Sequence, residues 1–191
     1  MKTDYNEIVD ILVANGIDIS SVKITMLRQE GEYLDENKFV GKIEKYIDYR
    51  GLHYFGGNIE IYTDGSCTIN DGQHSGTFGL VVIIGGLKAF EYSERFNIAT
   101  NNRMEMMAVI IASQIAKYIH TRWNLLVDIF SDSKYTLNTF TEVHVGPKNK
   151  DLQDMFNNLK INTNAISFRW VKAHSGNEYN EYVDNLCSMS Y

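Results

Sequence analysis

From residue 58 onward, the apolar residues switch repeatedly between the two-residue spacing of strands and the 3.6-residue spacing of helices. In chain order the pattern predicts three strands, a long helix, a strand, two helices, a strand and a last helix. The predicted segments are 59–64, 77–84, 88–96, 100–115, 125–130, a helix after 133, 152–159, 166–170 and 178–189. The Gly85-Gly86 pair between the second and third strands is typical of a hairpin. This order predicts an α/β fold in which helices flank a mixed sheet.

Residues 1–57 have a different pattern. Apolar residues with helical spacing occur in 8–13, before Leu27 and between Asp35 and Tyr49. The segment holds 7 Lys and Arg against 10 Asp and Glu, a net charge of −3, and no cluster of catalytic residue types. Glycines punctuate 50–57, which we interpret as a linker. We therefore predict a small helical N-terminal unit in 1–57, either a cap on the main domain or a module that docks a protein partner, and a main domain in 58–191.

The composition excludes several classes of protein. With only two cysteines, Cys67 and Cys187, and no Cys/His ligand spacing, neither a disulfide framework nor a zinc site is expected. No apolar run approaches the roughly 20 residues of a membrane span, and the first residues lack the layout of a signal peptide. We therefore expect a cytoplasmic protein without a membrane partner. The net charge of −6 is unusual for a protein that binds phosphates without help from bound cations.

Four acidic residues stand in distinctive local sequences. They are Asp64 in IYTDGS, Glu105 in TNNRMEMMA, Asp132 in IFSDS and Asp184 in HSGNEYNEYVD. Gly65 interrupts the first strand pattern, so the sequence predicts that Asp64 ends that strand. Each residue has a simpler local explanation, since Asp64 would suit a turn and Asp132 a helix N-cap. Together, four carboxylates spread through one α/β domain indicate oxygen ligands for hard divalent cations, and hence metal-dependent chemistry on phosphates.

In this order and with these neighbours, the four blocks resemble the signature blocks of type 1 ribonuclease H over residues 58–189. The resemblance implies a ribonuclease H-like fold, a five-stranded mixed sheet with the acidic residues clustered on one edge. It also implies a metal-dependent endoribonuclease that hydrolyses the RNA strand of RNA–DNA hybrids and leaves 5′-phosphate and 3′-hydroxyl ends.

The resemblance also assigns roles to individual residues. It implies that Asp64 bridges two Mg²⁺ ions, for which Mn²⁺ can substitute, that Glu105 and Asp132 bind one of them, and that Asp184 binds the other. It implies that His174 is the mobile-loop histidine that handles protons and assists product release.

Further positions match substrate contacts of the family. By resemblance, Asn70, Asn101 and Asn102 would contact the hybrid in its minor groove, and Thr100 would contact a phosphate of the DNA strand. The chain departs from some relatives at Ile98, where they carry an arginine. It also lacks a basic helix and loop in 139–149. We therefore expect weak intrinsic affinity for the substrate.

Two other functions stay open on the sequence alone. The missing basic elements would suit a hybrid-binding or partner-docking module that kept the fold and lost catalysis. A related polynucleotidyl transferase acting on DNA would share the fold, although the HSGNEYNEYVD block argues against it.

Several neighbouring residues are interpreted as structural. Arg103 is expected to be a structural or salt-bridging residue, and Trp123 and Trp170 are expected to be packing residues, with Trp170 on the last strand. The methionines beside Glu105 are expected to belong to the core rather than to a cofactor site; they are Met104, Met106 and Met107.

Overall fold

The computed structural model of the protein describes residues 40–50, 59–70, 73–97, 99–141 and 148–189, all within the unit that spans 34–191. Within these ranges, the side chains at 45, 46, 48–50, 69, 70, 73, 74 and 189 are not described. The elements in chain order are α1 Val40–Arg50, β1 Ile59–Asn70, β2 Gln73–Ile84, β3 Leu87–Asn97, α2 Asn101–Trp123, β4 Val127–Ser131, α3 Lys134–Thr141, α4 Lys150–Asn158, β5 Ile166–Trp170 and α5 Glu178–Met189. The helices predicted before residue 40 lie outside the described residues.

The five strands form one mixed sheet in the order β3-β2-β1-β4-β5. The first three strands make an antiparallel meander, and β1, β4 and β5 run parallel to one another. Gly85 and Gly86 form the turn of the β2–β3 hairpin with φ values of 58° and 77°, a conformation that glycine adopts without steric cost. The predicted α/β class and mixed sheet are confirmed.

Helices α2 and α5 both pack on the central strand β1. Thirteen residues of α2 are buried, which makes this helix the centre of the core. Helix α5 packs through Val183 against Tyr62, Val81 and Ile83, and Tyr62 also stacks on Phe130 at 4.6 Å between ring centroids. Burial of apolar side chains against the central strands thus fixes both helices to the sheet.

Helix α1 packs on the same body as the sheet. Its Ile43 and Ile47 are fully buried, and Glu44 accepts a hydrogen bond from the Tyr118 hydroxyl at 3.2 Å. Lys42 lies over the ring of Phe90 in β3 at 5.4 Å from the centroid. The helix predicted between 35 and 49 is therefore present. A domain boundary near residue 57 stays a prediction.

Two sequence-based expectations are wrong. Gly65 does not end the first strand, because β1 continues through it to Asn70 and pairs with β2 along its whole length. Trp170 does not pack in the interior, since 46% of its surface is exposed at the end of β5, whereas Trp123 is buried as expected. The three methionines of α2 are buried, as predicted. None of the helices in the described part of the chain combines the length and apolar character that crossing a membrane requires.

Candidate active site

Asp64 lies in the middle of β1, at the point where one of its two neighbouring strands ends. Pairing between β1 and β4 stops at Thr63 and Ser131, so beyond this point β2 is the only strand of the described residues that pairs with β1. The Thr63 hydroxyl donates a hydrogen bond to the Phe130 carbonyl at 2.8 Å and fixes this end of the parallel pair. Asp64 is 7% exposed, so its carboxylate faces a nearly closed space beside β4.

Glu105 reaches Asp64 because α2 begins close to β1. A Cβ placed on Gly65 would lie 2.2 Å from the Glu105 backbone nitrogen, so only glycine permits this approach of helix and strand. Thr100 is the N-cap of α2, and its side chain accepts a hydrogen bond from the Arg103 backbone N–H. Arg103 in turn forms an ion pair with Asp151 at 2.7 Å, which links this end of α2 to α4 and confirms the expected salt bridge.

Asp132 follows β4 in a turn that its serine neighbours stabilise. The Ser131 hydroxyl accepts a hydrogen bond from the Ser133 backbone N–H at 3.1 Å, and the Ser133 hydroxyl accepts one from the Thr136 N–H at 3.3 Å. Ser133 thus caps α3, and the Asp132 side chain is not used as a cap. The Asp132 carbonyl accepts a hydrogen bond from the Trp170 indole N–H at 3.0 Å.

The fold brings these three acidic side chains together. One carboxylate oxygen each from Asp64, Glu105 and Asp132 lies within 4.8 Å of the others. Asp184 on α5 is outside this group, but its negative charge contributes to raising the pKa values of Asp64 and Asp132. Three of the four predicted carboxylates therefore meet at one point, and the fourth, Asp184, is close enough for its charge to act on two of them.

The electrostatics of the site oppose full ionisation. Burial first, and then the negative charge of Asp132, raise the pKa of Asp64 from 3.8 to about 6. Burial, together with the charges of Asp64 and Asp132, raises the pKa of Glu105 well above its usual value. The hydrogen bond between the two side chains acts in opposite directions, since it raises the pKa of Glu105 and lowers that of Asp64.

The donor set fits a hard divalent cation. It consists of carboxylate oxygens alone, and one of them, Oε2 of Glu105, is buried without a hydrogen-bond partner. A buried oxygen without a partner is costly in a folded protein. A cation would supply the missing partner and would favour the ionised form of each carboxyl group.

Asn180 supports the site and was not predicted from the sequence. It lies on α5 at 3% exposure, and its side chain forms a hydrogen bond with Asp132 that favours the ionised carboxylate. Its Oδ1 is buried without a hydrogen-bond partner. The available signal was its position one helical turn before Asp184, which places both side chains on one face of α5.

His174 lies at the rim of the site in the loop before α5. Its Nδ1 is 3.7 Å from Oδ2 of Asp184, and its side chain is 79% exposed. His174 has a φ of 48° and Gly176 a φ of 83°, so two of the three residues 174–176 have a positive φ. The structure therefore places the predicted histidine beside the predicted carboxylate.

The four predicted substrate contacts lie on two elements. Asn101 and Asn102 are exposed in the first turn of α2, and Thr100 is exposed immediately before them. Asn70 is the last residue of β1, and its side chain lies outside the described residues. The exposed groups share the end of α2 that carries Glu105.

Comparison with known proteins agrees with this geometry. A family model described as RNase H matches residues 57–190. The chain belongs to the ribonuclease H family. Ribonuclease HI of Synechocystis sp. (strain ATCC 27184 / PCC 6803 / Kazusa) is 34% identical over 145 residues, which cover 70% of this chain and 88% of the relative.

Other ribonuclease H relatives give the same result. Ribonuclease H of Hahella chejuensis is 35% identical over 144 residues, covering 69% of this chain and 91% of the relative. The crystal structure of LC9-RNase H1, described as a type 1 RNase H with the type 2 active-site motif, has a TM-score of 0.52 at 22% identity and covers 70% of this chain and 72% of that one. It supports the ribonuclease H fold, and the sequence relatives support the enzyme class.

Proposed function

We propose that this ribonuclease H hydrolyses the RNA strand of RNA–DNA hybrids at the site formed by Asp64, Glu105, Asp132 and Asp184, leaving 5′-phosphate and 3′-hydroxyl ends. The observation that carries the proposal is the convergence of three carboxylate oxygens within 4.8 Å, with Asp184 adjacent. Membership of the ribonuclease H family supports the reaction class.

We further propose that the four carboxylates hold two Mg²⁺ ions, with Mn²⁺ able to replace them. A carboxylate oxygen of Asp64 lies within 4.8 Å of one from Glu105 and one from Asp132, and the charge of Asp184 also acts on Asp64. When bound, such ions activate a water molecule and stabilise negative charge on phosphate oxygens. The orphaned Oε2 of Glu105 supports this assignment.

The chain's own residues place the reactants. Asn180 orients the Asp132 carboxylate through a hydrogen bond, and Gly65 lets Glu105 approach Asp64. His174 is exposed and lies beside Asp184, so we assign to its ring the transfer of a proton to or from solvent during hydrolysis. We also assign to His174 a part in product release, since it is exposed at the rim of the site.

We assign recognition of the hybrid to the N-terminal end of α2 and the C-terminal end of β1. The exposed amides of Asn101 and Asn102 can donate and accept hydrogen bonds with base edges and 2′-hydroxyls in a minor groove. The Thr100 hydroxyl oxygen accepts a hydrogen bond from the Arg103 N–H, and its hydroxyl proton can be donated to a phosphate oxygen. We assign Asn70 to the same surface.

Cleavage of a labelled RNA–DNA hybrid by wild type and Asp132→Asn tests the proposal, in Mg²⁺ and separately in Mn²⁺. We expect the wild type to cut the RNA strand alone and the variant to lose at least about a hundredfold in kcat, since a lost ligand weakens cation binding. Asp128→Asn is the matched control, because it removes a carboxylate from β4, the strand that precedes Asp132, where Asp128 pairs with Arg169.

The outcomes separate the candidate functions. Hybrid cleavage by wild type and Asp128→Asn, with loss in Asp132→Asn at unchanged circular dichroism, would support the proposal. Binding of the hybrid by a folded wild type without any cleavage would contradict it and favour a binding module. Cleavage of duplex DNA in preference to the hybrid would favour a DNA-directed transferase.

A further inference from the structure

The exposed indole of Trp170 lies beside the carboxylate site, and the side chain of Lys134 packs over its ring. Its N–H donates to the Asp132 carbonyl at 3.0 Å, so the ring is anchored to the backbone of a site residue. The Nζ of Lys134, the first residue of α3, lies 4.1 Å from the ring centroid. Neither group is buried in the core, since Trp170 is 46% exposed and Lys134 is also exposed.

The position of Lys134 is unusual for a cation next to an acidic site. It follows Asp132 by two residues, yet it forms no ion pair with any carboxylate of the described residues. A cation over an indole face is attracted by the ring quadrupole and keeps its donor hydrogens available to other ligands. Trp170 therefore holds a solvent-accessible positive charge at the rim of the site without neutralising it.

We propose that Lys134, positioned by Trp170, binds a phosphate of the RNA strand next to the scissile phosphate. The inference rests on the proposed function, because that function places the scissile phosphate at the carboxylates. Two residues span at most about 7 Å, so a phosphate adjoining one held beside Asp132 is within reach of the Lys134 side chain. Such a contact would supply part of the phosphate affinity that the acidic chain otherwise lacks.

Equilibrium binding of a fluorescent RNA–DNA hybrid, measured by anisotropy with Ca²⁺ in place of Mg²⁺, tests this proposal independently of cleavage, and a gel of the same samples checks that the RNA strand stays intact. We expect Lys134→Gln to weaken binding about two- to fivefold at low salt and to lower the slope of log K against log[salt] by about 1. Lys160→Gln is the matched control, because Lys160 is exposed and precedes β5, whereas Trp170 ends it. It should change neither quantity.

Two further measurements distinguish a phosphate grip from a structural role. Replacing single phosphates by neutral methylphosphonates should abolish the effect of Lys134→Gln at one position of the RNA strand. Trp170→Ala should lower the salt slope when Lys134 is present and have no further effect on it in the Lys134→Gln background. An indole that only stabilised the fold would act equally in both backgrounds.

Binding and cleavage are measured separately, so failure of the phosphate contact can be distinguished from failure of the proposed function. If the wild type binds the hybrid without cleaving it and Lys134→Gln binds it more weakly, the phosphate contact of Lys134 is supported and the proposed nuclease activity is refuted. If the wild type cleaves the hybrid and Lys134→Gln changes neither the binding constant nor the salt slope, the phosphate contact is refuted and the nuclease activity is supported. Absence of measurable hybrid binding by the wild type, or an effect confined to DNA-strand phosphates, would also overturn the grip.

Discussion

Neutralising Asp64 should stabilise the protein in the absence of divalent cations. The folded state raises the pKa of this buried carboxyl group from 3.8 to about 6, so its ionised form is disfavoured by folding. At about 1.36 kcal/mol per pH unit, this rise corresponds to about 3 kcal/mol of lost stability at pH values above 6. Asp64→Asn removes the ionised form while keeping an oxygen that can accept the hydrogen bond from the Gly65 N–H.

The sign of the pH dependence follows from the direction of the pKa change. Because the folded-state pKa is the higher one, the cost is absent well below pH 3.8, grows as the pH rises and is complete above about 6. In EDTA, Asp64→Asn should therefore exceed the wild type by up to about 3 kcal/mol in free energy of unfolding at pH 8. At pH 4 the difference should be below about 1 kcal/mol.

Urea unfolding followed by circular dichroism at both pH values measures these differences. Asp128→Asn is the control, since it removes a carboxylate whose Arg169 partner is 56% exposed and should be neutral or slightly destabilising. Addition of Mg²⁺ should stabilise the wild type by about 2.7 kcal/mol at a hundredfold excess over Kd, and Asp64→Asn by much less. Equal stability of Asp64→Asn and wild type at pH 8 in EDTA would refute the argument.

Two packing and ion-pair predictions follow from the contacts of α2. Gly65→Ala should destabilise the fold by about 3 kcal/mol or more, because its Cβ would lie 2.2 Å from the Glu105 backbone nitrogen. Gly41→Ala in α1 is the control and should be neutral or stabilising, since its Cβ would have no atom within 4 Å. Thermal unfolding measures both variants, and equal melting temperatures would contradict the prediction. Arg103→Ala should cost about 1–3 kcal/mol, since it removes charged hydrogen bonds to the half-buried Asp151, and a denaturation midpoint that matches wild type would count against that role.

The order of the elements was predictable because each follows from local spacing. The final helix, 178–189, and the last strand, 166–170, have the bounds that the sequence indicated. The boundary of β1 was not predictable in this way. Gly65 weakens a strand by its own preference, but pairing with β2 carries the strand through it, and the close approach of α2 requires a glycine there.

The candidate site shows the same division. The four carboxylates were identified from their sequence blocks, whereas the support from Asn180 and the exposure of Trp170 were missed. An aromatic residue that alternates with apolar neighbours is usually interpreted as core. Whether the end of β5 is covered depends on what packs against this edge strand, which is not recorded in the spacing of its residues.

The sequence by itself determined which elements form and which residue types are available for catalysis, because helical and strand periods and the composition of short motifs are local properties. Only the tertiary structure decided that Asp64, Glu105 and Asp132 meet within 4.8 Å. Their proximity depends on the register of β1 with β4 and on the glycine that admits α2. The raised pKa values arise from the same proximity, since burial and like charge act only once distant parts of the chain have been packed together.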